Sequence, residues 1–158
     1  MNEVRLTPVA TVENDREDGS DFEWGGVESD IVFEPGYAEG LLGLEQFSHA
    51  IVVFLIDRPL DEAPTLRRRP RGRADMPMLG VFAQRGANRP NRIGVTAVEI
   101  VRVGNGRVTV RGLDALNGTP VLDVKPYVAS FDRIESPHEP EWIARLMRGY
   151  FGTERDPE

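Results

Sequence analysis

The 158-residue chain contains no cysteine. That excludes disulfides, thiol nucleophiles and zinc–thiolate centres. It holds two histidines, His49 and His138, in no spacing suited to a metal, so no metal centre is expected. Lysine is almost absent: Lys125 stands alone, and arginine supplies every other basic side chain. No apolar run is long enough to span a membrane; the longest, residues 50–56, is the size of a strand. The opening Met1-Asn2-Glu3 has no basic-then-apolar signal segment. These absences suit a cytoplasmic protein with no membrane partner.

What is present suits one domain with one core: 40% hydrophobic and 28% charged residues at this length. Net charge is -7, but its distribution is uneven. Residues 67–92 hold eight arginines and one acid, Asp75, a window of +7 that leaves -14 on the remainder. A basic stripe on an acidic body can dock a phosphate backbone locally. An ordinary solvated loop in an arginine-favouring composition reads the same way.

The periodicity is strand-like. Residues 4–12, 29–33, 48–56, 79–83, 94–103, 107–111 and 121–124 read as strands. Gly104-Asn105-Gly106 marks a hairpin, because Asn-Gly tolerates the positive backbone angles of a tight turn. Residues 37–44 suggest a short helix, residues 15–19 a charged loop and residues 59–77 a long or partly disordered one. The best helix covers 141–151, where Trp142, Leu146 and Tyr150 recur every four residues. Many short strands with glycine and proline turns argue for an all-β barrel or sandwich. No strand–GxGxxG–helix unit is present, which argues against a doubly wound dinucleotide fold.

Two polar segments interrupt the apolar runs. Gln84-Arg85-Gly86-Ala87-Asn88-Arg89-Pro90-Asn91-Arg92-Ile93-Gly94 joins two β-runs and carries guanidinium forks suited to carboxylates or phosphates. Leu113-Asp114-Ala115-Leu116-Asn117-Gly118-Thr119-Pro120 turns into a strand ending on Asp123, Lys125 and Tyr127. Charge beside a buried-looking run needs a partner, so these three are either a polar site or a structural network. With Tyr37-Ala38-Glu39-Gly40-Leu41-Leu42-Gly43-Leu44-Glu45-Gln46-Phe47-Ser48-His49, these segments resemble the TrmO/TsaA-like (YaeB) family of S-adenosylmethionine-dependent tRNA methyltransferases. Members act on threonylcarbamoyladenosine beside the anticodon.

The resemblance implies a mainly β fold: a single closed β-barrel of mostly antiparallel strands with short helices. The barrel core would span about residues 4–128 of one domain over 1–158, with a C-terminal helix at about 141–151. It implies S-adenosylmethionine as cofactor, tRNA as partner and a homodimer. Cofactor contacts would come from Trp24 and Gly25, from Ile56 and Asp57, from Arg85 and Ile93, and from Leu113, Asp114, Ala115 and Leu116, partly through backbone groups. Arg89, Asn91, Arg92 and Lys125 would face the substrate, and Asn91, Asp114 and Tyr127 are the candidates for assisting proton removal. His49 reads as a hydrogen-bonded core residue.

The chain departs from the family pattern in several places. Gln84-Arg85-Gly86-Ala87 stands for Thr-Arg-Ser-Pro, Arg92 for a proline, Asn117 for an aspartate and Asp57-Arg58 for His-Gln. Longer relatives carry a further C-terminal domain. Three readings therefore stand at this level. The chain methylates the exocyclic amine of threonylcarbamoyladenosine in tRNA, or another RNA or small molecule, or it binds a nucleotide without turnover.

Overall fold

The computed structural model describes residues 3–18, 22–57 and 65–152. Met1, Asn2, Gly19, Arg58 and residues 59–64 of the long loop, all named above, lie outside the described residues, as do residues 153–158.

Six strands close into an antiparallel barrel in the order β1-β2-β7-β6-β3-β8. They are β1 (Ala10–Glu13), β2 (Glu28–Phe33), β3 (His49–Leu55), β6 (Ile93–Gly104), β7 (Arg107–Arg111) and β8 (Pro120–Pro126). Period-two alternation supplies the core. Val12, Ile31, Val52, Val98, Val108 and Val121 point inward and are fully or almost fully buried. The run at 50–56, uninterrupted in sequence, alternates once folded: Ala50, Val52 and Phe54 enter the core, and Ile51, Val53 and Leu55 face outward. Closure leaves the barrel no unpaired edge around most of its circumference.

The hairpin between β6 and β7 turns at Asn105 and Gly106, whose φ values of 54° and 71° are those a tight primed turn requires. Residues 35–46 form two short 3-10 stretches, Pro35–Leu41 and Leu44–Gln46, in place of the expected helix. The long loop is ordered where it is described. β4 (Arg67–Arg68) pairs with β5 (Leu79–Gly80), and a 3-10 turn at Pro70–Gly72 and the buried Met76 fill the space between. Only Leu79–Gly80 of the strand expected at 79–83 pairs; Val81–Ala83 coils into a 3-10 turn that buries Val81.

Beyond β8 come two short helices, α1 (Ala129–Asp132) and α2 (Glu141–Met147). The helix expected to reach Phe151 stops four residues earlier. Gly149, at φ 71°, takes the left-handed conformation that ends helices, and the Tyr150 amide bonds back to the Met147 carbonyl. Tyr150 therefore leaves the face shared by Trp142 and Leu146. Among the described residues, no helix is long and apolar enough to cross a membrane.

Candidate functional site

The strand directions sort the motifs onto the two rims of the barrel. β1, β3 and β7 end, and β2, β6 and β8 begin, at one rim, here called the near rim. The 3-10 turn at Trp24–Gly26 therefore lies beside Ile56 and Asp57, the arginine segment 84–92, Ile93 and the crossover 112–119. Backbone bonds stitch this rim: Gly112 N–H to Val27 C=O (3.0 Å), Gly118 N–H to Val12 C=O (2.8 Å), Asn117 N–H to Arg16 C=O (2.9 Å) and Ile56 N–H to Arg92 C=O (2.8 Å). Segments far apart in sequence thus meet because antiparallel strands return them to one end.

Asp114 is half-buried at this rim, and both of its oxygens are engaged. Thr96 Oγ1 on β6 donates to Oδ1, and the Tyr150 hydroxyl donates to Oδ2 at 2.6 Å. Arg85 donates through a guanidinium N–H to the carbonyl of Val95, the residue before Thr96. The guanidinium and the carboxylate are thereby anchored to adjacent positions of one strand. Leu113 and Ala115 are buried residues of the core, backbone included, and the Ala115 carbonyl accepts from Asn14 Nδ2 at 2.9 Å. Trp24 is buried beneath the Arg16 guanidinium, 4.3 Å from the ring centroid.

The arginine segment is partly self-supporting. Arg89 donates to the Gln84 carbonyl (3.1 Å). Gln84 Nε2 reaches the carbonyls of Arg68 (2.9 Å) and Leu79 (3.2 Å), tying this segment to the β4–β5 ribbon. A threonine, the family residue at that position, is too short to make that tie. Arg92 has φ 49°, a conformation closed to the proline of the family pattern, so here the backbone itself differs and not only the side chain. Asn117 donates to Glu17 Oε1 (2.8 Å), where an aspartate would set two carboxylates together. Asn91, Asp57 and Ile93 are exposed.

Along the stripe, Arg73 is paired with Asp75 (2.9 Å), and Arg69 donates to the Met76 carbonyl. The Arg73 hydrogen bond holds the Asp75 carboxyl below its usual range. A bond to a carbonyl leaves a guanidinium charged, so Arg69 stays positive.

Lys125 and Tyr127 stand apart from this cluster. They lie at the opposite end of β8, where Ile51 pairs with Lys125 and the Tyr127 amide bonds the His49 carbonyl (2.9 Å). Lys125 pairs with Asp123 at 2.6 Å with both side chains solvated, so the expected buried network is an exposed ion pair. His49 is likewise exposed rather than in the core; its Nδ1 shares a hydrogen bond with Ser48 Oγ (2.8 Å), and its ring meets Tyr127 edge-on. A groove of about 580 Å³ opens at that far rim between residues 37–47 and β8, and contains none of the near-rim residues.

Sequence reasoning missed Thr96, Asn14 and Asn88 and placed Tyr150 on a helix face. Asn88 is 6% exposed in the middle of the arginine segment, and its Oδ1 has no hydrogen-bond partner among the described residues. A buried acceptor of that kind is costly unless something donates to it. The signal for Tyr150 was Gly149, a helix-ending residue inside the periodic run.

Comparison with known proteins places these features. The chain is 42% identical over 96 residues to a putative S-adenosylmethionine-dependent methyltransferase, RcsF, of Pseudomonas aeruginosa; the match takes in 61% of this chain and 40% of that protein. It is 38% identical over 136 residues to a probable S-adenosyl-L-methionine-binding protein of Methanothermobacter thermautotrophicus, 84% of this chain and 96% of that one. It is 38% identical over 100 residues to the tRNA (adenine(37)-N6)-methyltransferase of Homo sapiens, 63% of this chain and 22% of that protein. The chain thus spans about two fifths of the length of its Pseudomonas relatives. The crystal structure of TrmO from Pseudomonas aeruginosa superposes with a TM-score of 0.73 at 28% identity, covering 90% of this chain and 62% of that one. The sequence model of the tRNA-methyltransferase O N-terminal domain matches residues 23–133, most of the barrel and both polar segments, and the chain belongs to that family.

Proposed function

We propose that this chain binds S-adenosylmethionine at the near rim and methylates the exocyclic amine of threonylcarbamoyladenosine next to the tRNA anticodon. The observation that carries the reading is convergence: every near-rim residue assigned to the cofactor above sits on one barrel end, among loops matched by the family. The donor set suits such a ligand. It offers a carboxylate for an ammonium or nucleoside donor, a guanidinium for a carboxylate, and the buried Asn88 acceptor, unpartnered among the described residues.

When bound, the cofactor supplies a methyl group on a sulfonium sulfur. The chain's own work is to hold, orient and shield. Asp114, clamped on both oxygens, is suited to accepting from a ligand N–H or O–H without shifting. Arg85, fixed to the Val95 carbonyl, keeps donors for a carboxylate. Exposed Asn91 can accept a hydrogen bond from the target amine at its Oδ1 and so orient it, while the proton displaced by the methyl group leaves to solvent. Arg67, Arg68 and Arg92 present positive charge toward RNA phosphates, which makes binding fall with salt. The same reading places the protein in the cytoplasm as a homodimer. The outer faces of β3 and β6 carry Ile51, Val53, Leu55, Ile93 and Val95 in register, an apolar patch suited to a second copy.

Two measurements test it. Calorimetry must show S-adenosylmethionine binding at millimolar cofactor or below. Labelled methyl must then pass to tRNA that carries threonylcarbamoyladenosine and not to tRNA lacking it. Light scattering over a concentration series tests the dimer. A second reading, binding without transfer to tRNA, has its own support. The Methanothermobacter relative, matched over nearly its whole length, is named for binding alone. Cofactor binding with no label in any tRNA would select it.

A further inference from the structure

The chain leaves β8 at the far rim, where Pro126 pairs with Ala50, yet Tyr150 sits at the near rim on Asp114. Residues 127–148 therefore carry it along the length of the barrel. A built contact holds it there. Glu23, Trp24 and Gly25 donate three consecutive amides to the carbonyls of Gly149 (3.0 Å), Tyr150 (2.9 Å) and Phe151 (3.0 Å). These are the amides that the 3-10 turn at Trp24–Gly26 leaves without partners inside the turn. Gly25 makes the approach possible: a Cβ there would overlap the Phe151 carbonyl oxygen and lie 3.0 Å from its carbon. The Tyr150 ring is pinned edge-on by Phe151, centroids 4.8 Å apart, and lies 5.5 Å from the Arg71 guanidinium, whose backbone takes a left-handed φ of 51°.

We propose that residues 149–151 form a strap that completes the cofactor pocket, and that Tyr150 is its positioning residue. The hydroxyl of Tyr150 fixes one Asp114 oxygen while Thr96 fixes the other. Two hydroxyl donors from different elements, β6 and the strap, set the plane of the carboxylate and leave each oxygen further lone-pair capacity for a ligand donor. The backbone bonds of the same strap hold the Trp24–Gly25 turn against that carboxylate. The strap thus unites two of the loops assigned to the cofactor, and Arg71 ties it to the basic ribbon. The inference rests on the S-adenosylmethionine reading of this rim.

The test uses the full chain and four proteins: wild type, Tyr150→Phe, Asp114→Asn and the double variant. Tyr150→Phe keeps the ring and the backbone bonds and removes only the hydroxyl. Hydrogen exchange at the amides of Trp24 and Gly25, measured without ligand, checks that the strap stays docked. The expected result by calorimetry is about five- to tenfold weaker S-adenosylmethionine binding for Tyr150→Phe. Asp114→Asn should be weaker still, and the double variant within about twofold of Asp114→Asn, because the tyrosine acts through the carboxylate. Unchanged binding by Tyr150→Phe overturns the inference, and so do multiplicative losses in the double variant. Tighter binding by Tyr150→Phe overturns it too, since the hydroxyl would then compete with ligand. Each of those outcomes leaves the cofactor reading intact if wild type binds. Failure of wild type to bind removes that reading and the inference together.

Discussion

Gly94 sits in the family motif that leads into β6, where a glycine invites a ligand-based explanation. The structure gives a packing one. Gly94 pairs across the ladder with Phe54, and a Cβ built on it would overlap Cε2 and Cζ of that ring and lie 2.9 Å from Cδ2. Phe54 is 4% exposed and belongs to the core cluster, so the ring has little free space to enter. Ordinary carbon contacts lie near 3.5–4.0 Å. Gly94→Ala must then push the ring by roughly an ångström or force it off its rotamer, and overpacking of that kind costs ~1–3 kcal/mol. Replacing a strand glycine by alanine returns roughly 0.5–1 kcal/mol of unfolded-chain entropy. The net expectation is a loss of about 1–2 kcal/mol. Urea unfolding would show it as a lower midpoint at unchanged slope. Introduced into Phe54→Leu, the same substitution should cost almost nothing. Equal loss in both backgrounds, or a single variant within about 0.5 kcal/mol of wild type, would refute the steric argument.

The Asp30 carboxyl on β2 accepts from Thr109 (2.5 Å) and from Arg107 (2.8 Å). The Thr109 hydrogen bond first, and Arg107 next, hold its pKa below the ordinary 3.8. Its contribution is therefore complete above the unfolded value and is lost as pH falls through the lower folded one. Asp30→Asn should cost ~1–2 kcal/mol at neutral pH and flatten the stability profile below pH 4; an unchanged acid limb would contradict this. Arg92→Gly should be more stable than Arg92→Ala by about 0.5–1 kcal/mol, because both lose the same side chain and only glycine adopts φ 49° freely. Arg92→Pro, though it restores the family residue, should destabilise by more than 1 kcal/mol, read by thermal melting. Gly25→Ala should undock the strap, read as faster proteolytic clipping after Met147 with the barrel intact; an unchanged clipping rate would contradict the close approach of Phe151.

The barrel was legible where chemistry is local. Alternation in Arg107-Val108-Thr109-Val110-Arg111 and the Asn105-Gly106 turn specify β7 and its hairpin directly. Polar loops between apolar runs likewise marked most of the near rim. What failed depends on tertiary contacts. Residues 67–77 look like an unstructured basic loop because only Pro70 and Met76 among them are buried, and one buried methionine makes no period. Residues 81–83 are apolar enough for a strand but spend that character burying Val81 in a turn. Tyr150 fits a four-residue repeat, yet its partner Asp114 lies 36 positions earlier, a distance no window of helical periodicity covers. Lys125 and Tyr127 come soon after the second polar segment in sequence but are a strand's length away, because β8 carries them to the other rim.

The contact between Trp24 and Tyr150 joins residues 126 apart by chain position, the latter minus the former. Such a closure forms late, after the ladders it rests on, and can reopen alone. The amides of residues 23–25 should then exchange with solvent at a rate set by the tail's own detachment, while those of Val52 and Val98 wait for the whole molecule to unravel. The gap between the two rates would report, without any ligand, how often the near rim stands ajar.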